Sequence, residues 1–187
     1  MNKKTRRLFI ALAIPNEIKD GIIRLQQHLD AYNCRVRWVK REALHITLRF
    51  LGDTPEALIP ALQHALEKTA ASGDPFPVTI EGTGFFPGEK NPRIIWAGIT
   101  AGREPLIGLA GNLNDELTEA GIDPDRRPFS PHVTIGRIKS PVRMENVVQD
   151  RVRDLPGQTM TVREILLIDS RLRPAGPVYT ILHTVKL

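Results

Sequence analysis

The strongest constraint on the fold is a period of two that recurs, around the same polar pair, in two distant segments. In Leu44 to Gly52, LHITLRFLG, the apolar residues Leu44, Ile46, Leu48 and Phe50 alternate with His45, Thr47 and Arg49. In Pro131 to Arg137, PHVTIGR, Val133 and Ile135 alternate with His132 and Thr134. Successive side chains of a strand point to opposite faces, so each segment reads as a strand with one apolar face and one face bearing His-x-Thr. The histidines are 132 − 45 = 87 positions apart in a chain of 187 residues, close to half its length. Strict alternation places Arg49 on the face of His45. In the second strand it would bury Arg137, so a bulge or strand end at Gly136 is expected to turn that arginine back toward His132.

Elsewhere the apolar period lengthens to three and four. Pro15 opens a helix through PNEIKDGIIRLQQHLDAY with Ile18, Ile22, Leu25 and Leu29 on one face. A second helix is expected from Thr54 as N-cap, with Pro55 in its first turn and Leu58, Leu62 and Leu66 as its stripe. A third runs from about Arg103 to Ala120, with Leu106, Leu109, Leu113 and Leu117 inward, and ends at Gly121. Further strands are expected in RLFIALAI, VRWV, PVTIEGTGFF, RIIWAGIT, VREILLIDSRL and VYTILHTVKL, with a loop over Ser72 to Pro77 and a polar, partly helical segment after the second His-x-Thr strand. Each half thus holds strands, a helix and one His-x-Thr strand, as a diverged internal duplication would. The order implies an α+β fold with antiparallel sheets flanked by helices, as one domain over residues 1–187.

Composition narrows the function classes. Hydrophobic residues make up 41% and charged residues 25%, and no apolar stretch reaches the roughly 20 residues of a membrane span. The basic, apolar N-terminus imitates a secretory leader, but its β-branched and aromatic residues suit a first strand. The single cysteine, Cys34, excludes an internal disulfide or a cysteine metal cluster, reads as a small buried side chain, and fits a reducing cytoplasmic setting. Net charge is +5, which is compatible with an anionic partner, and the excess of 18 arginines over 8 lysines fits phosphate binding and a codon bias toward arginine equally well. The cations are scattered in small groups, unlike those of a duplex-binding module. His28, His64 and His183 read as surface or structural, Trp38 and Trp96 as core, and Phe86 and Phe129 as packing near loops.

Two imidazoles with two hydroxyls make a general base and a general acid, because each ring titrates near neutrality. That pair suits displacement at phosphorus, with threonine hydroxyls and an arginine donating to the non-bridging oxygens. Two histidines without a nearby carboxylate or cysteine set make a poor zinc site. The near-equivalence of the two motifs leaves open which histidine is the acid.

These strands, with RLFIAL, VRWVKREALHITLRFLG, RPFSPHVTIGR and LIDSRLRPAGPVYTIL, resemble the RNA 2′,3′-cyclic phosphodiesterase family, formerly called 2′-5′ RNA ligases, of the two-histidine phosphoesterase superfamily. The resemblance covers nearly the whole chain. It implies a bilobal, pseudo-twofold fold with one His-x-Thr from each lobe and a cleft between them. It also implies metal-independent hydrolysis of RNA 2′,3′-cyclic phosphate ends to 2′-phosphomonoesters, with reversible 2′-5′ ligation as a side reaction. By position, His45 is then the proton donor and His132 the proton acceptor, with Thr47, Thr134 and Arg137 on the phosphate. No cofactor, no metal and no membrane partner is implied. The expected partner is RNA with cyclic ends, tRNA halves among the candidates, acted on by a cytoplasmic monomer. Ile135-Gly136 departs from the family's usual Leu-Ala, which bears on the aim of Arg137. A non-catalytic RNA-end binding module is the rival from another class.

Overall fold

A computed structural model describes residues 4–30, 36–139, 155–174 and 176–187. Cys34 and the polar segment expected after the second His-x-Thr strand lie outside the described residues. Strands β1 (Thr5–Ala13), β2 (Val36–Trp38), β3 (His45–Pro55), β4 (Phe76–Phe86), β5 (Ile94–Ala101), β6 (His132–Ile138), β7 (Gln158–Val162), β8 (Glu164–Arg173) and β9 (Gly176–Lys186) alternate with α1 (Asn16–Asp30), α2 (Ile59–Ala71) and α3 (Arg103–Glu119). The strands form one antiparallel sheet in the order β7-β4-β5-β6-β3-β1-β8-β9, with β2 paired to β6. The α+β expectation holds.

Apart from β2, four strands of the sheet lie on each side of the β3/β6 seam, and each set of four ends at a His-x-Thr strand. These sides are not the two halves of the chain. The C-terminal strands β8 and β9 join β1 and β3, while β4 to β7 make the other side. Pairing of β1 with β8 spans most of the sequence, so no local pattern announces it.

The apolar face of the sheet meets all three helices in one core that includes Leu8, Ile10, Ile46, Ile95, Val133 and Leu167. Helix α1 packs on β6, and its buried Gln26 amide donates to the carbonyls of Val39 and Ile135, both at 2.9 Å, which satisfies strand-edge acceptors inside the core. Helix α2 lies against α3, β8 and β9, and α3 against β3. The opposite face carries a smaller apolar cluster of Phe9, Ala11, Leu166 and Ile168, with Tyr179 packed on it. Among the described residues no helix is long and apolar enough to cross a membrane.

Two expectations about elements need correction. Thr54 is not a helix cap: it is buried on β3, and its hydroxyl donates to the Gly52 carbonyl at 3.2 Å. A 3-10 turn over Glu56–Leu58 precedes α2, so Leu58 falls at the N-cap and the buried stripe is Leu62, Ala65, Leu66, Thr69 and Ala70. Strand β7, QTMTV, was absent from the expected set, because its only buried residues are Met160 and Val162.

Candidate active site

Strands β3 and β6 meet at a single backbone pairing, Ile46 with Val133, antiparallel. Continuing that register sets His45 opposite Thr134 and Thr47 opposite His132, all on the face away from the helices. The two histidines are then diagonal neighbours, about 7–8 Å apart at the backbone, the scale of a gap that one phosphate fills. Alternation in each strand explains the placement: Ile46, Val133 and Ile135 are fully buried beneath, while the four polar residues remain partly exposed above.

The imidazoles are held alike. His45 Nδ1 lies 2.8 Å from the Ala43 carbonyl and His132 Nδ1 lies 2.7 Å from the Ser130 carbonyl. A carbonyl only accepts, so Nδ1 carries the hydrogen in both rings and Nε2 is the nitrogen left able to accept a proton. His45 Nε2 is 2.9 Å from the Thr47 hydroxyl, which donates to it while the ring is neutral. His45 also packs against Phe9, at 4.8 Å between ring centroids, and edge-on to Tyr179 at 5.6 Å. His132 has a comparable support in Phe86, edge-on at 5.0 Å.

Electrostatics distinguish His45. Burial lowers its pKa to about 4, the Ala43 hydrogen bond opposes that shift, and the positive surroundings of Lys19, His132 and Arg137 add to it. With the site empty, His45 is therefore neutral at physiological pH. Burial also raises the Tyr179 phenol, which stays protonated.

Bulges decide which arginine enters the site. Pairing of β5 with β6 steps from Ile95–Gly136 to Trp96–Thr134, so Ile135 is an extra residue and the phase of β6 slips there. Arg137 consequently lies on the site face, where it lines a cavity of about 650 Å³ with His45, Thr47 and Thr134. Gly136 makes this possible, since a Cβ there would sit 2.7 Å from Val36 and 2.9 Å from Trp38. A second slip, at Leu48, separates the pairs Ala11–Thr47 and Ile10–Arg49. Arg49 therefore shares the face of buried Ile10, not that of His45, which corrects the alternation expectation. Its guanidinium reaches Asn114 at 3.2 Å, Asp125 at 3.3 Å and the Asp123 carbonyl. Phe50, paired with Phe9, takes the site face instead and stands 49% exposed.

His132 lines a neighbouring cavity of about 300 Å³ with Phe86 and Trp96. Trp96 is thus on the site face, contrary to the core expectation, because it pairs with Thr134 across the sheet. Trp38 packs at the edge of the core, and its indole N–H donates to Asp30 at 2.8 Å. Phe129 also packs against the core. His64 and His183 lie beside Glu67, at 3.8 and 3.4 Å, away from both cavities. Among the described residues no cluster of three or more histidine, cysteine or carboxylate side chains is placed to hold a metal.

Sequence reasoning missed Phe9, Tyr179, Phe50 and the cations Arg7, Arg37, Lys40 and Arg173, all of which line the larger cavity. Tyr179 and Pro177 do share one face of β9 by alternation, a signal that was available. The others depend on pairings between distant strands.

Two like-held imidazoles face each other across a seam, with two threonine hydroxyls beside them and Arg137 lining the cavity of His45, and such a set is chemically able to donate and accept protons beside an anion. The chain belongs to the 2′-5′ RNA ligase superfamily, whose sequence profile matches residues 14–173. It is 31% identical to the RNA 2′,3′-cyclic phosphodiesterase of Methanothermobacter thermautotrophicus, over 97% of this chain and 98% of that protein. Among solved structures, TT0787 of Thermus thermophilus superposes with a TM-score of 0.83 at 33% identity, covering 97% of each chain. LigT of E. coli complexed with 3′-AMP superposes with a TM-score of 0.77 at 26% identity, over 98% of this chain and 99% of LigT.

Proposed function

We propose that this protein hydrolyses 2′,3′-cyclic phosphate ends of RNA to 2′-phosphomonoesters without a metal, with His45 as proton donor and His132 as proton acceptor. The observation that carries the reading is the matched pair of imidazoles, each with Nδ1–H fixed on a backbone carbonyl so that Nε2 is the proton-transfer nitrogen, His45 Nε2 resting on the Thr47 hydroxyl. Water attacks phosphorus as His132 Nε2 takes its proton. The bond to the 3′ oxygen breaks, His45 protonates that oxygen, and the phosphate remains on the 2′ oxygen. His45 first has to gain a proton, and the anionic diester favours that by placing negative charge beside a ring otherwise held neutral. The Thr47 hydroxyl then turns from donor to acceptor, which a hydroxyl permits. Thr47, Thr134 and Arg137 stabilise the charge that builds on the non-bridging oxygens.

The likeness to RNA 2′,3′-cyclic phosphodiesterases supports the substrate. A 5′ hydroxyl in place of water would yield a 2′-5′ bond by the same proton transfers, consistent with the superfamily's description. The test is hydrolysis of a cyclic-ended RNA in EDTA. We expect turnover, with His45→Ala and His132→Ala each losing about 10²–10⁴-fold in kcat. Near-wild-type rates in either variant would overturn the reading.

A further inference from the structure

Around the larger cavity, cations outnumber what one phosphate uses. A cyclic phosphate carries a single negative charge, which Arg137 and two threonines satisfy. Yet Arg7, Arg37, Lys40 and Arg173 line the same cavity, and among the described residues its lining holds no acidic side chain. Arg37 and Arg137 are directly paired across β2 and β6, an arrangement of like charges that costs stability unless an anion lies between or beside them. None of the five forms an ion pair with a described carboxylate, whereas Arg6, Arg41, Arg49 and Lys68 elsewhere all do. Arg37 reaches toward the β8–β9 turn, where its guanidinium would be 3.7 Å from a Cβ placed on Gly176, and the Lys40 stem would be 4.0 Å from it. Arg37 of β2 and Arg173 at the β8–β9 turn thereby line one mouth.

The same rim presents apolar surface. Phe50 is 49% exposed and Leu172 is 70% exposed, and both line the cavity. The Arg7 guanidinium lies 4.8 Å from the Phe50 ring centroid, which fixes that ring from one side. An exposed aromatic beside unpaired arginines is the pattern that binds single-stranded nucleic acid, with stacking for bases and guanidinium groups for phosphates.

We propose that the cavity also binds the nucleotide on the 5′ side of the cyclic end, with its base on Phe50 and the connecting phosphates held by Arg37, Lys40 and Arg173. A cyclic 3′ end has nothing beyond it, so in hydrolysis further contacts can only run in the 5′ direction. The substrate is then a single-stranded RNA end of at least two nucleotides rather than a free cyclic mononucleotide. This inference rests on the hydrolysis proposed above.

The experiment compares kcat/KM for a 2′,3′-cyclic mononucleotide and for a trinucleotide with the same cyclic end, at low and high salt, in the wild type, Phe50→Ala, Phe50→Trp and Arg37→Gln. The wild type should prefer the trinucleotide at least about tenfold, and the preference should shrink with salt. Phe50→Ala should cut that ratio severalfold, Phe50→Trp should keep it, and Arg37→Gln should flatten its salt dependence. Both side chains are exposed, so neither change opens the core. Equal kcat/KM for the two substrates in the wild type, or a ratio the variants leave unchanged, would overturn the proposal. If neither substrate is hydrolysed, the catalytic reading fails separately. Fluorescence anisotropy of the labelled trinucleotide, competed with the mononucleotide, then decides the subsite: tighter trinucleotide binding weakened by Phe50→Ala supports it, and equal binding refutes it.

Discussion

Acidification should destabilise this protein through His45, by an amount the site itself sets. The ring's pKa falls from an ordinary 6.5 to about 4 because burial penalises the charged form. Above pH 6.5 neither the folded nor the unfolded chain protonates this ring, so it contributes nothing to the pH dependence. Between 6.5 and 4 the unfolded chain binds a proton that the folded chain refuses, and stability falls as pH falls. Below 4 both states are protonated and the loss is complete. The difference, 6.5 − 4 = 2.5 units, corresponds to at most about 3 kcal/mol. Urea unfolding of the wild type and of His45→Gln, measured from pH 7 to pH 4, isolates this contribution from the carboxylates common to both. The wild type should lose about 3 kcal/mol relative to the variant over that interval. Parallel curves would refute the assignment of a buried, neutral ring. Titration of the His45 ring by NMR should also show its pKa rising when inorganic phosphate or 3′-AMP occupies the site, because an adjacent anion stabilises the imidazolium.

Two further outcomes follow from the bulges. Gly136→Ala should cost about 1–3 kcal/mol in urea unfolding and raise KM, since the added methyl collides with Val36 and Trp38 and displaces the strand that aims Arg137. Arg49→Ala should cost about 1–3 kcal/mol by removing the guanidinium that ties Asn114, Asp125 and the Asp123 carbonyl to β3, with Arg49→Lys failing to restore its several contacts.

The His-x-Thr strands were legible because each keeps strict alternation over the residues that matter, so the faces of His45, Thr47, His132 and Thr134 follow from the period alone. Arg137 was legible through Gly136, a residue whose missing side chain marks a bulge. The slip at Leu48 carries no such mark, since leucine is at home in any strand, and Arg49 and Phe50 were assigned to the wrong faces for that reason. Trp96 was misplaced because large aromatics are usually core, and only its pairing with Thr134 reveals otherwise. The composition of each side of the sheet was hidden for a different cause: β8 returns to β1 across most of the chain, and long-range pairing leaves no local trace. The lowered pKa of His45 likewise needs the packing of Phe9 and Tyr179, which sit at opposite ends of the sequence.

The most direct test of the central claim is the chemical identity of the product formed, in EDTA, from a defined RNA bearing a 2′,3′-cyclic phosphate. Donation of the proton to the 3′ oxygen requires a 2′-phosphomonoester, and that product is predicted. A 3′-phosphomonoester, or an RNA end left cyclic, would contradict the account.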